Sequence, residues 1–364
     1  MRRNIRLLIV GLLLCALLSA CGHQHAWLDA TCSAPKTCID CGATEGVAKE
    51  HTWLDATCSA PKTCADCSTT QGAALAHIYD QWGEREQDPS GQWIHSRSCT
   101  LCGELQTEQT KGPTIRTDLG SAGFPDGTTI IVSIFANELS TGWNFDNEAD
   151  REARAIMLSH MGSAASWLTH QIAAYGADPR FIYDWEANPD LCYTYDFGQQ
   201  MLVRSDGGGY WTQADYILEH IPTEALKEKY KAQNIIYMFY FNTDENNKVS
   251  SWSLGNIQNL NTEIINIFVR NYLSTGFYYE TAPSLAHEIM HCFGAYDLYY
   301  ASATISQAYV DHCRLSDSQD IMYTSSLGAE IPQIFSQLDA YYMGLVDHCD
   351  EVEQWGLGKS AFLK

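Results

Sequence analysis

The chain has 364 residues and a formal charge of −22, from 22 Lys and Arg against 44 Asp and Glu. That length allows a large core and more than one domain. The acidic balance argues against nucleic acid as a partner, which calls for a basic face. It suits a soluble, exported surface without naming a substrate.

Met1 to Arg6 carries three arginines, and Leu7 to Leu18 is an apolar run too short to span a bilayer comfortably. Residues 1–20 therefore read as an export signal. The run ends in Leu18-Ser19-Ala20-Cys21, which resembles the bacterial lipobox, where the signal is cut before the cysteine and its thiol carries a lipid. That resemblance implies Cys21 as a lipid anchor and a protein exported to the outer face of the bacterial cell membrane. An ordinary secretory signal cut nearby is the competing reading. No other apolar run is long enough for a transmembrane helix.

Residues 21–112 hold internal repeats, in units of about 25–51, 51–77 and 77–105. His25-Ala-Trp-Leu-Asp-Ala-Thr-Cys32 returns almost unchanged as His51-Thr-Trp-Leu-Asp-Ala-Thr-Cys58. Cys38 and Cys41 follow in the first copy, Cys64 and Cys67 in the second. A histidine then falls at His51 and at His77, so each unit reads C-x₅-C-x₂-C-x₉-H. Three thiolates and an imidazole fit a closed structural zinc site, giving the expected sets Cys32, Cys38, Cys41, His51 and Cys58, Cys64, Cys67, His77. A degenerate third unit has His95, Cys99 and Cys102 with no evident fourth ligand. Disulfides compete in an exported chain, although three cysteines per unit would force pairing between units. Either way the units lack a core and need metal or crosslinks; they suit a stalk, a surface-binding module or a folding aid. Glycines and prolines from Gly103 to Gly127 mark a linker into a second domain, 113–364.

In that domain Thr128 to Phe135 reads as a buried strand. Glu148 to Tyr175 reads as a helix with a Met157, Met161, Ala164, Leu168, Ile172 stripe. Phe181 to Tyr183 is a short strand, 187–212 is rich in loops, and 213–232 is helical with a break near Pro222. Ile235 to Phe241 is a strong strand. Asp244 to Asn247 is a turn. Ser251 to Leu254 is an edge strand and Ile264 to Val269 another strand. Tyr299 to Gln319 is irregular. Ser336 can cap a last helix through Leu338 and Tyr342 to Met343, ended by Gly344.

Between these lies His287-Glu288-Ile289-Met290-His291-Cys292-Phe293-Gly294-Ala295-Tyr296-Asp297. Histidines four apart share one helix face and can grip one Zn²⁺. Leu285, Ile289 and Phe293 lie about 200° away and can face a core. Glu288 sits beside the metal as a general base, able to take a proton from water and pass it to a leaving amine. Gly294 can end the helix, and Asp297 can return as the third ligand, leaving a position for water.

This string resembles the metzincin clan of zinc metallopeptidases, in the variant with Asp as third ligand, as in snapalysin-type and immune-inhibitor-A-type bacterial proteases. Asp320-Ile321-Met322-Tyr323 is similar to the clan's Met-turn. The resemblance implies an α+β fold: a twisted mixed sheet, a long backing helix, the active-site helix, the Met-turn and a C-terminal helix. It implies a zinc endopeptidase acting on protein or peptide, with Met322 beneath the metal and an edge strand, provisionally Ser251 to Leu254, pairing with substrate. Tyr323 is a possible oxyanion helper, one residue nearer the Met than in clan members that place a tyrosine two residues after it. His312 rivals Asp297 as ligand. Cys292 is either packed or bonded to Cys313, and Cys192 and Cys349 are a second possible pair. Two other functions stay open: adhesion through the repeats with a latent peptidase domain, and a zinc amidase acting on cell-wall material.

Overall fold

The computed structural model describes residues 24–83, 85–112, 119–139, 141–198, 210–244, 250–255, 261–273 and 276–363. Cys21 and the signal run lie outside these residues, as do Gly207 to Gly209 and most of the turn after Asp244. The chain divides into two compact units, Met1–Gly112 and Pro113–Lys364.

The first unit holds three small antiparallel sheets. They are β1 (Trp27–Leu28), β2 (Lys36–Cys38) and β3 (Thr44–Glu45); β4 (Trp53–Leu54), β5 (Lys62–Cys64) and β6 (Thr70–Gln71); and β7 (Glu86–Gln87), β8 (Trp93–Ser98) and β9 (Leu105–Gln109). The repeat is structural as well as sequential. Trp27 pairs with Cys38, Trp53 with Cys64, and in the third copy Tyr79 bridges Cys99. The third copy is degenerate because the β7–β8 hairpin is inserted between its bridge partners. Leu28, Ile39, Val47 and Leu54 are exposed while Cys38, Cys58, Cys64 and Cys99 are the buried apolar residues. Cysteine therefore occupies the place of a core.

The second unit is built on β10 (Gly127–Asn137). Its parallel neighbours are β13 (Asn234–Phe241) on one side, and on the other β11 (Pro179–Ile182) and β12 (Cys192–Asp196). Beyond β13 come β15 (Ile264–Phe268), parallel, and β14 (Trp252–Leu254), antiparallel and outermost. Side chains alternate across a strand, and both faces are covered. Ile131, Phe135, Ile236, Met238 and Tyr240 pack on α1 (Glu148–Ala173) and α4 (Ala282–Cys292). Ile130, Val132, Ile134, Ile235, Tyr237 and Phe239 pack on α2 (Tyr210–His220) and α3 (Thr223–Tyr230).

Asn147 caps α1 by accepting from Ala149 N, and the Met157, Met161, Ala164, Leu168, Ile172 stripe is fully buried, as its spacing predicts. Five elements depart from the reading by pattern. β12 lies inside the segment expected to be loop. A hairpin of β16 (Arg270–Leu273) and β17 (Gly276–Tyr279) precedes α4. The segment expected to be irregular contains α5 (Gln307–Leu315), capped by Ser306, and α7 (Asp350–Trp355) follows the capped helix α6 (Gln337–Tyr342). The architecture is thus mixed α and β, with several small sheets and seven α-helices among the described residues. No described helix is long and apolar enough to cross a membrane.

Candidate metal centres

Helix α4 starts where Thr281 accepts from Ser284 N, with Pro283 in its first turn. Leu285, Ile289 and Phe293 are buried in the core, which fixes the helix about its axis. Gly294 ends it with φ +100°. A Cβ there would also stand 2.9 Å from the Tyr342 carbonyl oxygen. Both conditions require glycine.

The chain then brings Asp297 back over the helix. His287 Nε2 and His291 Nε2 are 3.1 Å apart, and Asp297 Oδ1 is 3.0 Å from the first and 3.2 Å from the second. The tautomers follow from the outer partners. His287 Nδ1 lies 2.9 Å from the Ile321 carbonyl and His291 Nδ1 2.8 Å from the Ala295 carbonyl. A carbonyl only accepts, so each Nδ1 carries the proton and each Nε2 turns a lone pair inward. Two nitrogen lone pairs and a carboxylate oxygen thus converge, nearly buried, and Asp297 Oδ1 has no other hydrogen-bond donor among the described residues. Such a cluster needs a cation. Around tetrahedral Zn²⁺ with bonds of about 2.0–2.1 Å, ligand atoms sit about 3.3 Å apart, close to what is seen. In the metal-free protein a proton substitutes. Burial disfavours charge on His291, but Asp297 outweighs it and raises the imidazole to about 9. Burial likewise opposes the Asp297 carboxylate, and His291 and His287 reverse this and pull it well below the ordinary range.

Glu288 is buried beside the triad, and its Oε2 has no hydrogen-bond partner among the described residues. Burial raises its pKa, against the pull of His287 and His291. A carboxylate so placed is poised to exchange a proton. The turn at Asp320 to Tyr323 is tied to the same site. Asp320 Oδ1 accepts from Met322 N, Met322 is fully buried, Ile321 supplies the carbonyl that orients His287, and Leu298 N donates to Met322 O at 2.9 Å. Strand β14 lies at the sheet edge and packs against α4.

Other candidates fall away from the centre. His312 is on α5, exposed, its ring stacked 4.7 Å from Trp355, and it does not join the triad. Tyr323 packs half-buried against the core. The tyrosines beside the triad are instead Tyr299 and Tyr300. The Tyr299 ring lies nearly parallel to His287 at 6.2 Å and touches Tyr300 at 5.3 Å, and both rings are half-exposed. Burial and the Asp297 charge raise both phenols, Tyr300 to about 12. They follow Asp297 directly in Asp-Leu-Tyr-Tyr.

All twelve described cysteines are free thiols. Of the two readings of Cys292, packed and not bonded to Cys313 is the one found, and the Cys192–Cys349 pair is not formed. Cys292 and Cys313 are both buried in the core, Cys192 Sγ accepts from Arg154, and Cys349 lies against Glu351.

The repeats also gather ligands, but not in the sets that spacing suggests. Cys32 and His51 meet Cys64 and Cys67; Cys58 and His77 meet Cys99 and Cys102; His25 meets Cys38 and Cys41. The within-repeat sets are thus corrected. So is His95, which stacks on Trp82 and bonds Glu108 at 2.9 Å. These Cys/His groups can hold metal ions.

No family model and no curated protein matches the chain. Among solved structures, one titled "Structure of a chaperone-substrate complex" matches at 11% identity and a TM-score of 0.26, over 69% of this chain and 37% of that one. A likeness at that level carries no argument about fold or function.

Proposed function

We propose that residues 113–364 form a zinc-dependent endopeptidase of metzincin type. The observation that carries this reading is the convergence of His287 Nε2, His291 Nε2 and Asp297 Oδ1 within 3.2 Å, with both tautomers fixed and, beside them, a glutamate whose Oε2 has no hydrogen-bond partner among the described residues. Three protein ligands are the set of a catalytic rather than a structural zinc site. A bound zinc ion would acidify a water and polarise the scissile carbonyl. Glu288, beside the three residues that would hold the ion, would serve as general base toward a water and then as general acid toward the departing amine; its raised pKa suits both roles. Met322 and the turn around it hold His287 and the Asp297 loop in place. The outermost strand β14 suits an extended peptide adding to the sheet, which gives sequence-tolerant binding through the backbone. A cavity of about 330 Å³ between Ser251, Glu280, Ser284 and Ser325 to Leu327 has room for a substrate side chain. With the export signal and Cys21, the proposed place of action is the outer face of the cell membrane.

The test is hydrolysis of a mixed peptide library by the full chain, beside Glu288→Ala and beside a chelated sample refilled with zinc. Cleavage should vanish in the variant and with chelator, and return with zinc. A folded, zinc-loaded protein that cleaves no peptide, or a Glu288→Ala variant that cleaves normally, overturns the proposal.

A further inference from the structure

The repeat ligands are distributed by the hairpin, not by proximity in sequence. In the first copy, β1 pairs antiparallel with β2, Trp27 opposite Cys38 and Leu28 opposite Thr37, so the His25 end of the hairpin is also the Cys38 end and Cys32 lies toward its turn. β2 then returns to place Cys38 beside Trp27. Cys38 N donates to Ala43 O and Gly42 N to Cys38 O, folding a tight knuckle that carries Cys38 and Cys41 to His25. His25 Nδ1 lies 3.4 Å from Cys41 Sγ. Cys32 is left at the opposite end of its hairpin.

There it meets the next repeat. Lys49 N donates to Thr31 O at 2.9 Å, so the segment entering His51 is laced to the loop carrying Cys32. The second junction repeats this bond, with Leu75 N on Thr57 O at 2.9 Å ahead of His77 and beside Cys58. The same plan explains the third unit. The position seven residues after His77 is Glu84, not cysteine. Ligation within repeats would leave that unit short of a thiolate, whereas Cys58 completes it.

The distances choose metal over disulfide. Cys32 Sγ is 3.7 Å from Cys64 Sγ, and Cys58 Sγ is 3.8 Å from Cys99 Sγ. A disulfide requires about 2.05 Å. Thiolates on tetrahedral Zn²⁺ with bonds of about 2.3 Å stand about 3.8 Å apart, and a thiolate and an imidazole nitrogen about 3.6 Å. Cys67 Sγ to His51 Nδ1 is 3.4 Å, and Cys102 Sγ to His77 Nδ1 is 3.5 Å. His77 Nε2 also faces Glu104 Oε2 at 3.4 Å. That is the outer carboxylate which turns an imidazole lone pair toward a metal.

We propose that two closed zinc sites, Cys32–His51–Cys64–Cys67 and Cys58–His77–Cys99–Cys102, each straddle the junction of consecutive repeats. The leading cysteine of a repeat serves its successor. Each ion joins two hairpins that share no apolar core, so the stiffness of the 24–112 segment depends on metal.

Thiol footprinting of the zinc-loaded full chain, with native mass spectrometry for metal content, tests this. Cys32→Ser should lose one zinc and expose Cys64 and Cys67 to alkylation, while Cys38 and Cys41 react as in the parent. Cys58→Ser should shift the pattern one repeat, exposing Cys99 and Cys102. Exposure of Cys38 and Cys41 by Cys32→Ser would restore ligation within repeats and overturn the proposal. So would a Cys32–Cys64 disulfide in the unreduced parent. If a variant unfolds the whole segment, stepwise chelation of the parent decides. Cys32, Cys64 and Cys67 must become reactive together, and Cys58, Cys99 and Cys102 together; release of Cys32 with Cys38 and Cys41 refutes the sharing.

Discussion

Gly294→Ala is the sharpest test of how the second unit holds its proposed metal ligands. The native φ of +100° lies beyond the left-handed well open to other residues, so alanine there costs about 1–2 kcal/mol in backbone strain. The new methyl would also stand 2.9 Å from the Tyr342 carbonyl oxygen, a backbone atom that cannot rotate aside. Relieving such overpacking costs about 1–3 kcal/mol more. The sum is about 2–5 kcal/mol, which for a domain of this size lowers Tm by roughly 4–10 °C. Any shift also falls on the site. Ala295, the next residue, supplies the carbonyl that orients His291, and Asp297 follows two residues later. Disturbing such outer partners costs about 10–100-fold in metal affinity. Calorimetry on the chelated protein reads the first effect, and competition against a chromophoric chelator reads the second. A variant that melts within a degree of the parent and holds zinc equally well would refute the whole chain of reasoning, from glycine to turn to ligand.

Three further outcomes are expected. Asp339 accepts from Ser336 N in the capping box of α6, yet burial, with Asp320 nearby, pushes its pKa well above the ordinary range. A raised carboxyl stabilises the fold while protonated, and that stability is lost as pH rises toward the folded-state value. Asp339→Asn keeps an acceptor without the charge, so its Tm relative to the parent should rise with pH and converge below about pH 4; a pH-independent difference in melting curves contradicts this. Arg270→Ala strands Asp150, which Arg270 Nη2 holds at 2.8 Å. Urea unfolding should show a loss of about 3–5 kcal/mol, and a loss under 1 kcal/mol would show the pair to be effectively solvated. Tyr299→Phe should lower kcat on a cleavable peptide by about 100-fold with zinc content unchanged, as expected for an oxyanion donor, while Tyr323→Phe should leave kcat intact; the reverse pattern would return the role to Tyr323.

How much of this could be read from residues alone follows the range of the interaction that fixes each element. β13 is a continuous apolar run and α1 carries its stripe at helical spacing, so local pattern sufficed. His287 and His291 meet for the same reason, since two histidines four apart need only a helix to bring their rings together. β12 is different. Cys192–Asp196 is a short, polar-flecked segment, made a strand by pairing with Ser133 to Asn137 of β10. The 270–279 hairpin and α5 are too short for periodicity to accumulate, although Ser306 and the buried Tyr309, Val310 and Cys313 are in place to cap and seat α5. Tyr299 stayed hidden because its neighbour His287 lies across the loop closed by Asp297, and nothing in local spacing marks that approach.

The repeats show where spacing misleads. Cys, Cys, Cys and His at regular intervals within one unit look like one site because a spacing rule treats the chain as compact over a few residues. A β-hairpin is not. It sends Cys32 to one end and Cys38 with Cys41 to the other, so residues six apart in sequence belong to different ions, while Cys32 and Cys64 come within 3.7 Å. The informative sequence feature was the Trp-Leu before each leading cysteine, which marks a strand between histidine and cysteine. Once that strand pairs back on Lys-Thr-Cys, the leading cysteine stands at the far end of the hairpin from the other two and meets the next repeat. Degeneracy of the third unit then stops being a defect. It lacks the leading cysteine because that residue serves a successor, and its own site is filled from Cys58.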